Sequence, residues 1–546
     1  MAKKPPVFVR EATGLVREVS PTEVGLYLIA ASGPLTVGMA YTLSWWLSNY
    51  PRVDLVFAFI VAIILTFCFS GAAALLASAM PRSGGDYVFL SRTIHPALGF
   101  LGSWNMFVYN SLAGVPILGS LLLYAGIGPM LYVIGSMMPS PSLVHMGETT
   151  IALPWSFIIV MIFIVGTSII LLFGIKMTVR ATVVLVILAW VCLLFGMLYP
   201  GSLASASHAD FVSRFNQYAL AISGKSNAYD YIINTARSFG YETTTEPYIY
   251  SIASIMGMAG LCSMAVTWQW THVYFSGEIK RGGQPRRQLY IITIPLISHI
   301  FGMLLPSWLL IRLAGGEFLN AYNYLSVNHG DALPFAVTAG GYLNFLLGMA
   351  APNLSVAVIL NLSMVFAALG WSLTMYAICT RSMFAWSFDR LFPSWIADVN
   401  ERLHTPLKAT LIYIFLNMAG AVIYTFWPDL VLPILAAAGA GCAIFSWIPI
   451  SITAIIFPRA RRDIYRSAPV RTLTIGPVPV MSILGAVGLF FTIYIGYAFW
   501  IATLPVGQEA VILVSIVGLV IYFLARWYRK GQGIDLSLTF KELPPE

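Results

Sequence analysis

Six consecutive residues, Thr267, Trp268, Gln269, Trp270, Thr271 and His272, put two hydroxyls, an amide, two indoles and an imidazole into an otherwise apolar run. They cannot all face hydrocarbon, so part of the run lines an aqueous site or hydrogen-bonds across helices. A second apolar run is interrupted by Ser32, Gly33, Pro34, Leu35, Thr36, Val37 and Gly38. Proline removes a helical hydrogen bond and glycine costs about 1 kcal/mol relative to alanine. In hydrocarbon such a break persists where the freed N–H and C=O groups are buried in protein or line a polar cavity. The chemistry on offer is non-covalent: helix N-termini favour anions and C-termini favour cations, so two broken helices can hold a zwitterion without a charged side chain. The structural alternatives are a proline kink that shapes the bundle and an interhelical hydrogen-bond cluster.

His272 and His299 are the ionisable residues embedded in apolar runs, either as proton switches or as hydrogen-bonded interhelical histidines. Ser372 and Thr374 offer hydroxyl oxygens to a cation. Asp and Glu are missing from the interior of every apolar run, which argues against a buried-carboxylate relay. With no Ser/His/Asp or HExxH cluster at helical spacing, an enzyme is not expected. The five cysteines form no CxxC pair and read as buried, inert thiols, and neither a metal nor a cofactor is expected.

The elements that must position these residues follow from composition. The 546 residues are 58% hydrophobic and 10% charged with a mean hydropathy of +0.81, against about 25% charged in a soluble domain. Uncharged stretches long enough for a helix of about 20 residues, which crosses about 30 Å of hydrocarbon, recur along the chain. Twelve spans are expected at 24–48, 55–79, 97–134, 151–174, 181–199, 251–276, 288–313, 347–385, 407–427, 430–457, 478–502 and 508–527. Of the 30 Lys and Arg, only Arg52, Arg214, Lys225, Arg237 and Arg312 fall in the loops opposite the termini, so both termini are expected to be cytoplasmic. The net charge of +8 then reports topology and contact with lipid headgroups, not nucleic-acid binding. The polar tail 1–23 lacks the pattern of a cleavable signal. The long connection 200–250 reads as an ordered outer cap or as a solvated loop.

Several motifs resemble one family. "ASAMPRSGGDYVFLSRTIHPALGFLGSW" (77–104), "GIKMTVRATVVLVILAW" (174–190), "SGEIKRGGQPRRQL" (276–289) and "YAICTRSMFAWSFDRLFPSWIADVNERLHTPLKATL" (376–411) are similar to loops and helix entries of the amino acid-polyamine-organocation transporters. The resemblance implies an all-α integral membrane fold of twelve transmembrane helices. These form a five-plus-five inverted repeat of the leucine-transporter type, 24–199 and 251–457, then two further helices over 478–527 and a cytoplasmic tail, 528–546. Helices one and six would be unwound at their centres. Carried over by position, the substrate carboxylate would meet Ser32, Gly33, Leu35, Thr36 and Gly38, and the ammonium and side chain would meet Met264, Thr267, Trp268, Gln269 and Trp270. The fifth-helix Lys that takes the sodium position in some members falls at Ala189 here. Coupling to Na+ through Ser372 and Thr374, to H+ through His272 or His299, and uncoupled exchange all stay open.

The expected function is therefore secondary transport of amino acids across the plasma membrane by alternating access. No carboxylate near the site favours a dication, so neutral or bulky amino acids fit best. Other amines or organocations, or a transporter-like nutrient sensor, are the alternatives. Membrane lipids are the expected surroundings, and no oligomeric state is implied.

Overall fold

The computed structural model describes residues 15–33, 35, 38, 46–47, 50, 53–242, 251–335, 343–400, 402–403, 405–427, 438–502, 505–541 and 543. Helix α1 (Pro21–Ala31) starts on a reciprocal cap. The Glu23 amide donates to Ser20 Oγ at 3.2 Å, the Ser20 amide donates to Glu23 Oε2 at 2.9 Å, and Pro21 sits where no N–H is required. It stops at Ala31 because Gly33 takes φ +68°, the left-handed conformation that glycine reaches without a Cβ penalty. The run 24–48 is thus no continuous helix.

The chain continues as α2 (Leu55–Ala79), α3 (Asp86–Thr93), α4 (Pro96–Met137), α5 (Pro141–Ile151), α6 (Trp155–Leu171), α7 (Gly174–Leu198), α8 (His208–Ser223) and α9 (Ala228–Ser238). Then come α10 (Ile252–Val266) with a 3-10 extension Thr267–Tyr274, α11 (Pro285–Ala314), α12 (Gly316–Asn328), α13 (Leu343–Met349) and α14 (Leu354–Phe388). Last are α15 (Leu407–Phe426), α16 (Ala438–Ala460), α17 (Arg462–Ser467), α18 (Val480–Ala502) and α19 (Pro505–Gly531). Among the described residues nine helices are long and apolar enough to cross a membrane, or eleven if each of two bent pairs is one span. Their outward faces carry Ile162, Val184, Phe490, Leu513 and Phe523, all more than half exposed, as lipid contact requires and water would penalise.

Two expected spans divide. The 151–174 span begins only at Trp155, and α5 meets α6 at 70°, because Pro154 cannot donate into a helix and disfavours helical geometry in the residue before it. The 347–385 span separates into α13 and α14 at Asn353, whose Oδ1 accepts from the Val356 amide at 3.0 Å and starts α14 afresh. The 200–250 connection is an ordered cap over its described residues. Tyr229 of α9 stacks on Phe318 of α12 with centroids 4.5 Å apart, and its hydroxyl donates to the Ala314 carbonyl at 2.7 Å.

Four π-helical turns, Asn110–Gly114, Leu122–Ile127, Ile300–Leu304 and Ala443–Trp447, interrupt α4, α11 and α16. Each ends just before a proline: Pro116, Pro129, Pro306 and Pro449. A proline ring clashes with the carbonyl four residues back and removes one donor; a turn with one extra residue makes room for the ring while the helix continues.

At the end of the bundle where α1 begins, the loops are joined by buried charge. Arg381, in the last two turns of α14, donates to Glu278 through Nε (2.8 Å to Oε1) and Nη2 (2.7 Å to Oε2), with both side chains at most 1% exposed. Arg92 of α3 pairs with Asp389 at 2.6 Å, and Tyr87 donates to the same carboxylate at 2.8 Å. Asp86 accepts from Tyr274 Oη (2.9 Å), Ser446 Oγ (2.6 Å) and the Tyr87 amide (2.9 Å). The backbone joins in: Val19 pairs in parallel with Ile279, through its amide to the Glu278 carbonyl (3.2 Å) and its carbonyl to the Lys280 amide (2.9 Å). One network therefore ties the segment before α1 to the loops after α2, α10 and α14.

Removing one partner of a fully buried pair strands the other charge at a cost of about 3–5 kcal/mol, whereas replacing both with apolar residues is often close to neutral. Glu278→Gln is therefore expected to lower the unfolding temperature strongly, and Glu278→Leu with Arg381→Met to recover most of the loss, read by thermal unfolding in detergent. Burial pushes the Asp86 carboxyl up to about 6 despite three hydrogen bonds that pull it down. The folded state then holds this proton more tightly than the unfolded chain, so the stability linked to it is present in acid and is lost as pH rises through about 6. Asp86→Asn is expected to flatten the decline in unfolding temperature between pH 3.8 and about 6, the ordinary and the raised values of this carboxyl.

Candidate functional site

The π turn Asn110–Gly114 widens α4 where it packs against α14 and α15. A cavity of about 130 Å³ lies there, lined by Tyr109, Asn110 and Gly114 of α4, Trp268, Trp371 and Met375 of α14, Trp447 of α16 and Phe499 of α18. Trp268 meets Trp447 edge to face at 5.9 Å. Among the described residues no charged side chain lines the cavity. An apolar cavity of about 150 Å³ accepts a benzene ring, so this one has the volume of a single ring or a branched aliphatic group. Its walls also hold unused donors: Tyr109 Oη, Trp371 Nε1 and Trp447 Nε1 are buried without a hydrogen-bond partner. Buried polar atoms are nearly always paired, so such a cluster marks a place where a bound molecule or water completes the bonding.

A larger cavity of about 340 Å³ lies at the α1 end, lined by Glu18, Lys176, Arg180, Glu278 and Arg402 among others. Its charges largely satisfy one another: Lys176 pairs with Glu18 at 2.8 Å, and Glu278 with Arg381. The smaller cavity is the better candidate, because it borders one of the two sequence interruptions and contains unsatisfied groups.

The residues of the first interruption sit as follows. Ser32 is fully buried, and its hydroxyl donates to the Leu28 carbonyl at 2.6 Å. The Gly38 amide reaches back to the Gly33 carbonyl at 3.2 Å, and Leu35 is buried. A Cβ on Gly38 would lie 2.8 Å from Met303 Cγ, so glycine lets α11 approach closely here. Pro34 and Thr36 lie outside the described residues, as does the side chain of Met264. The interrupted helix packs on the other: Tyr27 meets Phe275 edge to face at 5.5 Å, and Tyr27 Oη donates to the Thr374 carbonyl of α14 at 3.0 Å.

In the second interruption, Trp268 alone among the described side chains reaches the cavity. Thr267 donates to the Ser263 carbonyl at 2.6 Å, and Trp270 packs on Phe69 of α2 at 5.6 Å. Gln269 is fully buried with neither amide atom paired, and Trp270 Nε1 is also unpaired. His272 Nε2 bonds Gln288 Oε1 at 2.8 Å, the arrangement of an interhelical histidine. His299 is fully buried with both nitrogens unpaired. Ser372 and Thr374 are buried and donate to the Leu369 and Trp371 carbonyls of their own helix, each at 2.7 Å.

Sequence reasoning passed over Tyr109, Asn110, Trp371, Trp447 and Phe499. Pro116 and Pro449, each two residues beyond a π turn that carries or adjoins Tyr109, Asn110 or Trp447, were the available signal.

A family model described as amino acid permease matches residues 19–522. No curated protein matches the chain.

Gly114 has room for a side chain, since an added Cβ would meet Met375 Cγ at 3.5 Å and Asn110 Oδ1 at 3.7 Å. On Gly441 it would lie 2.8 Å from the Tyr109 ring and 2.9 Å from Asn105 Oδ1. Gly114→Ala should therefore leave the unfolding temperature unchanged or raise it, by up to about 1 kcal/mol in stability, while trimming the cavity. Gly441→Ala should destabilise by roughly 1–3 kcal/mol through overpacking. Unfolding curves of the two variants side by side check the contrast.

Proposed function

The chain belongs to the amino acid permease family, within the amino acid-polyamine-organocation superfamily, and on that premise we propose that it is a secondary transporter of neutral, bulky amino acids working by alternating access. Family membership makes it a multi-pass membrane protein whose substrates are amino acids; the substrate type and the mechanism are our reading. The observation that carries the reading is the uncharged aromatic cavity of about 130 Å³ beside the broken α10. A zwitterion needs its two charged groups met by backbone ends and its side chain met by shape. The carboxylate would be held in the interruption that follows α1, around Ser32, Gly33, Leu35, Thr36 and Gly38. The ammonium would lie near Met264, Thr267 and Gln269, and the side chain would enter the cavity past Trp268. Lining of this kind disfavours a second positive charge, since an ammonium or guanidinium in a dry aromatic pocket without a carboxylate loses its hydration uncompensated.

The same reading places both termini in the cytoplasm, counts the broken α1 and the 430–457 region toward twelve spans, and takes residues 24–199 and 251–457 as inverted repeats, with the chain in the plasma membrane. In it the buried pairs Arg381–Glu278 and Arg92–Asp389 hold the cytoplasmic side shut while the substrate cavity is filled from outside.

Purified protein in proteoliposomes, preloaded with one unlabelled amino acid at a time, is expected to catalyse counterflow of leucine-, methionine- or phenylalanine-like substrates and little of arginine or polyamines. Trp371→Ala should weaken the apparent affinity for the best substrate by about tenfold, which is about 1.4 kcal/mol of lost contact. Counterflow of no amino acid or amine would sink the reading, and preference for dications would overturn the substrate class.

A further inference from the structure

The cavity of about 340 Å³ at the α1 end is built where α7 begins. Gly174 takes φ +85°, and an added Cβ there would stand 2.7 Å from the Leu403 carbonyl oxygen, so the turn at Arg402 and Leu403 lies directly against the start of α7. Asn400 fixes that turn, its Oδ1 accepting from the Arg402 and Leu403 amides at 3.0 Å each. Lys176 and Arg180 of α7 and Arg402 of the turn therefore border one cavity, together with Glu18 and Glu278.

The two carboxylates leave cationic capacity over. Both oxygens of Glu278 are taken by Arg381, and Glu18 answers Lys176 alone. Arg180 reaches Glu23 through Nε at 3.3 Å, and neither of its Nη groups is bonded among the described residues. The Arg402 guanidinium is exposed and has no hydrogen bond or ion pair among the described residues. Helix energetics do not account for this collection: Lys176 and Arg180 are the third and seventh residues of α7, where the positive end of the helix dipole favours anions.

The same cavity has an apolar rim. Phe173 and Met177 line it and are 58% and 49% exposed. Met177 and Arg180 also open a stripe that continues at helical spacing through Val184, Ile187, Val191 and Phe195, all exposed. In a multi-pass membrane protein such a stripe faces acyl chains. One helix thus carries cations at its start and a lipid-facing stripe directly after them, which is the order of headgroup and hydrocarbon in a bilayer leaflet.

We propose that this cavity binds an anionic phospholipid, its phosphate held by Lys176, Arg180 and Arg402 and its acyl chains laid along the exposed stripe of α7. A free phosphate would answer the cations but makes no use of Phe173, Met177 and the stripe. The lipid phosphate competes with Glu18 for Lys176 and with Glu23 for Arg180. Both of those pairs are partly exposed, and exposed ion pairs contribute little stability, so they exchange readily. Glu18 and Glu23 flank the Ser20 cap that starts α1, so a bound lipid loosens the segment before α1 while the buried Arg381–Glu278 pair stays closed. The site depends on the chain spanning a membrane and not on the transport function proposed above.

Full-length protein in neutral detergent is offered dioleoylphosphatidylglycerol or dioleoylphosphatidylcholine, and bound lipid is counted by native mass spectrometry. Phosphatidylglycerol is expected to be retained in preference, and the preference to fade with added salt. Arg402→Gln should weaken its retention about fivefold, the worth of one cation at an anionic membrane surface, with the unfolding temperature in detergent alone unchanged. Glu18→Gln should strengthen retention, because it frees Lys176 for the phosphate. Arg466→Gln, which removes an exposed cation that does not line the cavity, should leave retention as it was. Inorganic phosphate and glycerol 1-phosphate are expected not to displace the lipid. Equal retention of the two lipids overturns the proposal, as does Arg402→Gln that matches Arg466→Gln, or Glu18→Gln that weakens retention. Displacement by glycerol 1-phosphate or inorganic phosphate makes this a site for soluble phosphates and overturns the lipid assignment.

Discussion

A peptide group in hydrocarbon has no water to turn to, so every N–H and C=O within the bilayer must find its partner inside the protein. This constraint shapes each irregularity of the fold. Where proline removes a donor, a π turn restores the ladder on either side of it. Where Gly33 ends α1, the Gly38 amide comes back to the Gly33 carbonyl. The hydroxyls of Ser32, Thr267, Ser372 and Thr374 all fold onto carbonyls of their own helices. Polar side chains in the spans are thus mostly self-contained. Against that background Tyr109, Trp371 and Trp447 keep unpaired groups at the cavity wall, and Gln269 keeps both of its amide atoms unpaired in the 3-10 extension of α10.

Charge obeys a second form of the same constraint. Arg381, Glu278, Arg92 and Asp389 are as buried as core leucines, and each faces an opposite charge, Arg381 bonding both oxygens of Glu278. Such pairs add little net stability over apolar packing, but they discriminate sharply between arrangements, because any movement that separates them leaves two bare charges. The α1 end of the bundle is therefore held in one geometry, with the segment before α1 hydrogen-bonded to Ile279 and its neighbours.

Much of this was legible in the sequence. Hydropathy located α2, α7, α14 and α15 to within several residues, the Gly33-Pro34 pair announced the end of α1, and the Trp268 run announced the non-α stretch of α10. The rest was hidden for physical reasons. Arg381 was counted with a loop because charge marks loops in a membrane protein, and nothing local reveals that Glu278, more than a hundred residues away, neutralises it. Trp371 and Trp447 read as ordinary apolar residues because an indole serves both lipid and cavity. The π turns were missed because a single added residue turns the helix by about 100° and scrambles the periodicity that a hydropathy reading depends on.

That displacement has a wider meaning for the chain. A π turn acts as a dislocation: the positions before Asn110 and after Gly114 belong to two separate angular frames, so one continuous rod can point different faces at different neighbours. Over its 42 residues α4 contains two such dislocations; it meets α19 over its first turns and α15 at the first π turn, while α14 runs along its whole length. The proline positions, more than the apolar ones, set the relative rotation of these faces, which makes them the bundle's angular gauge.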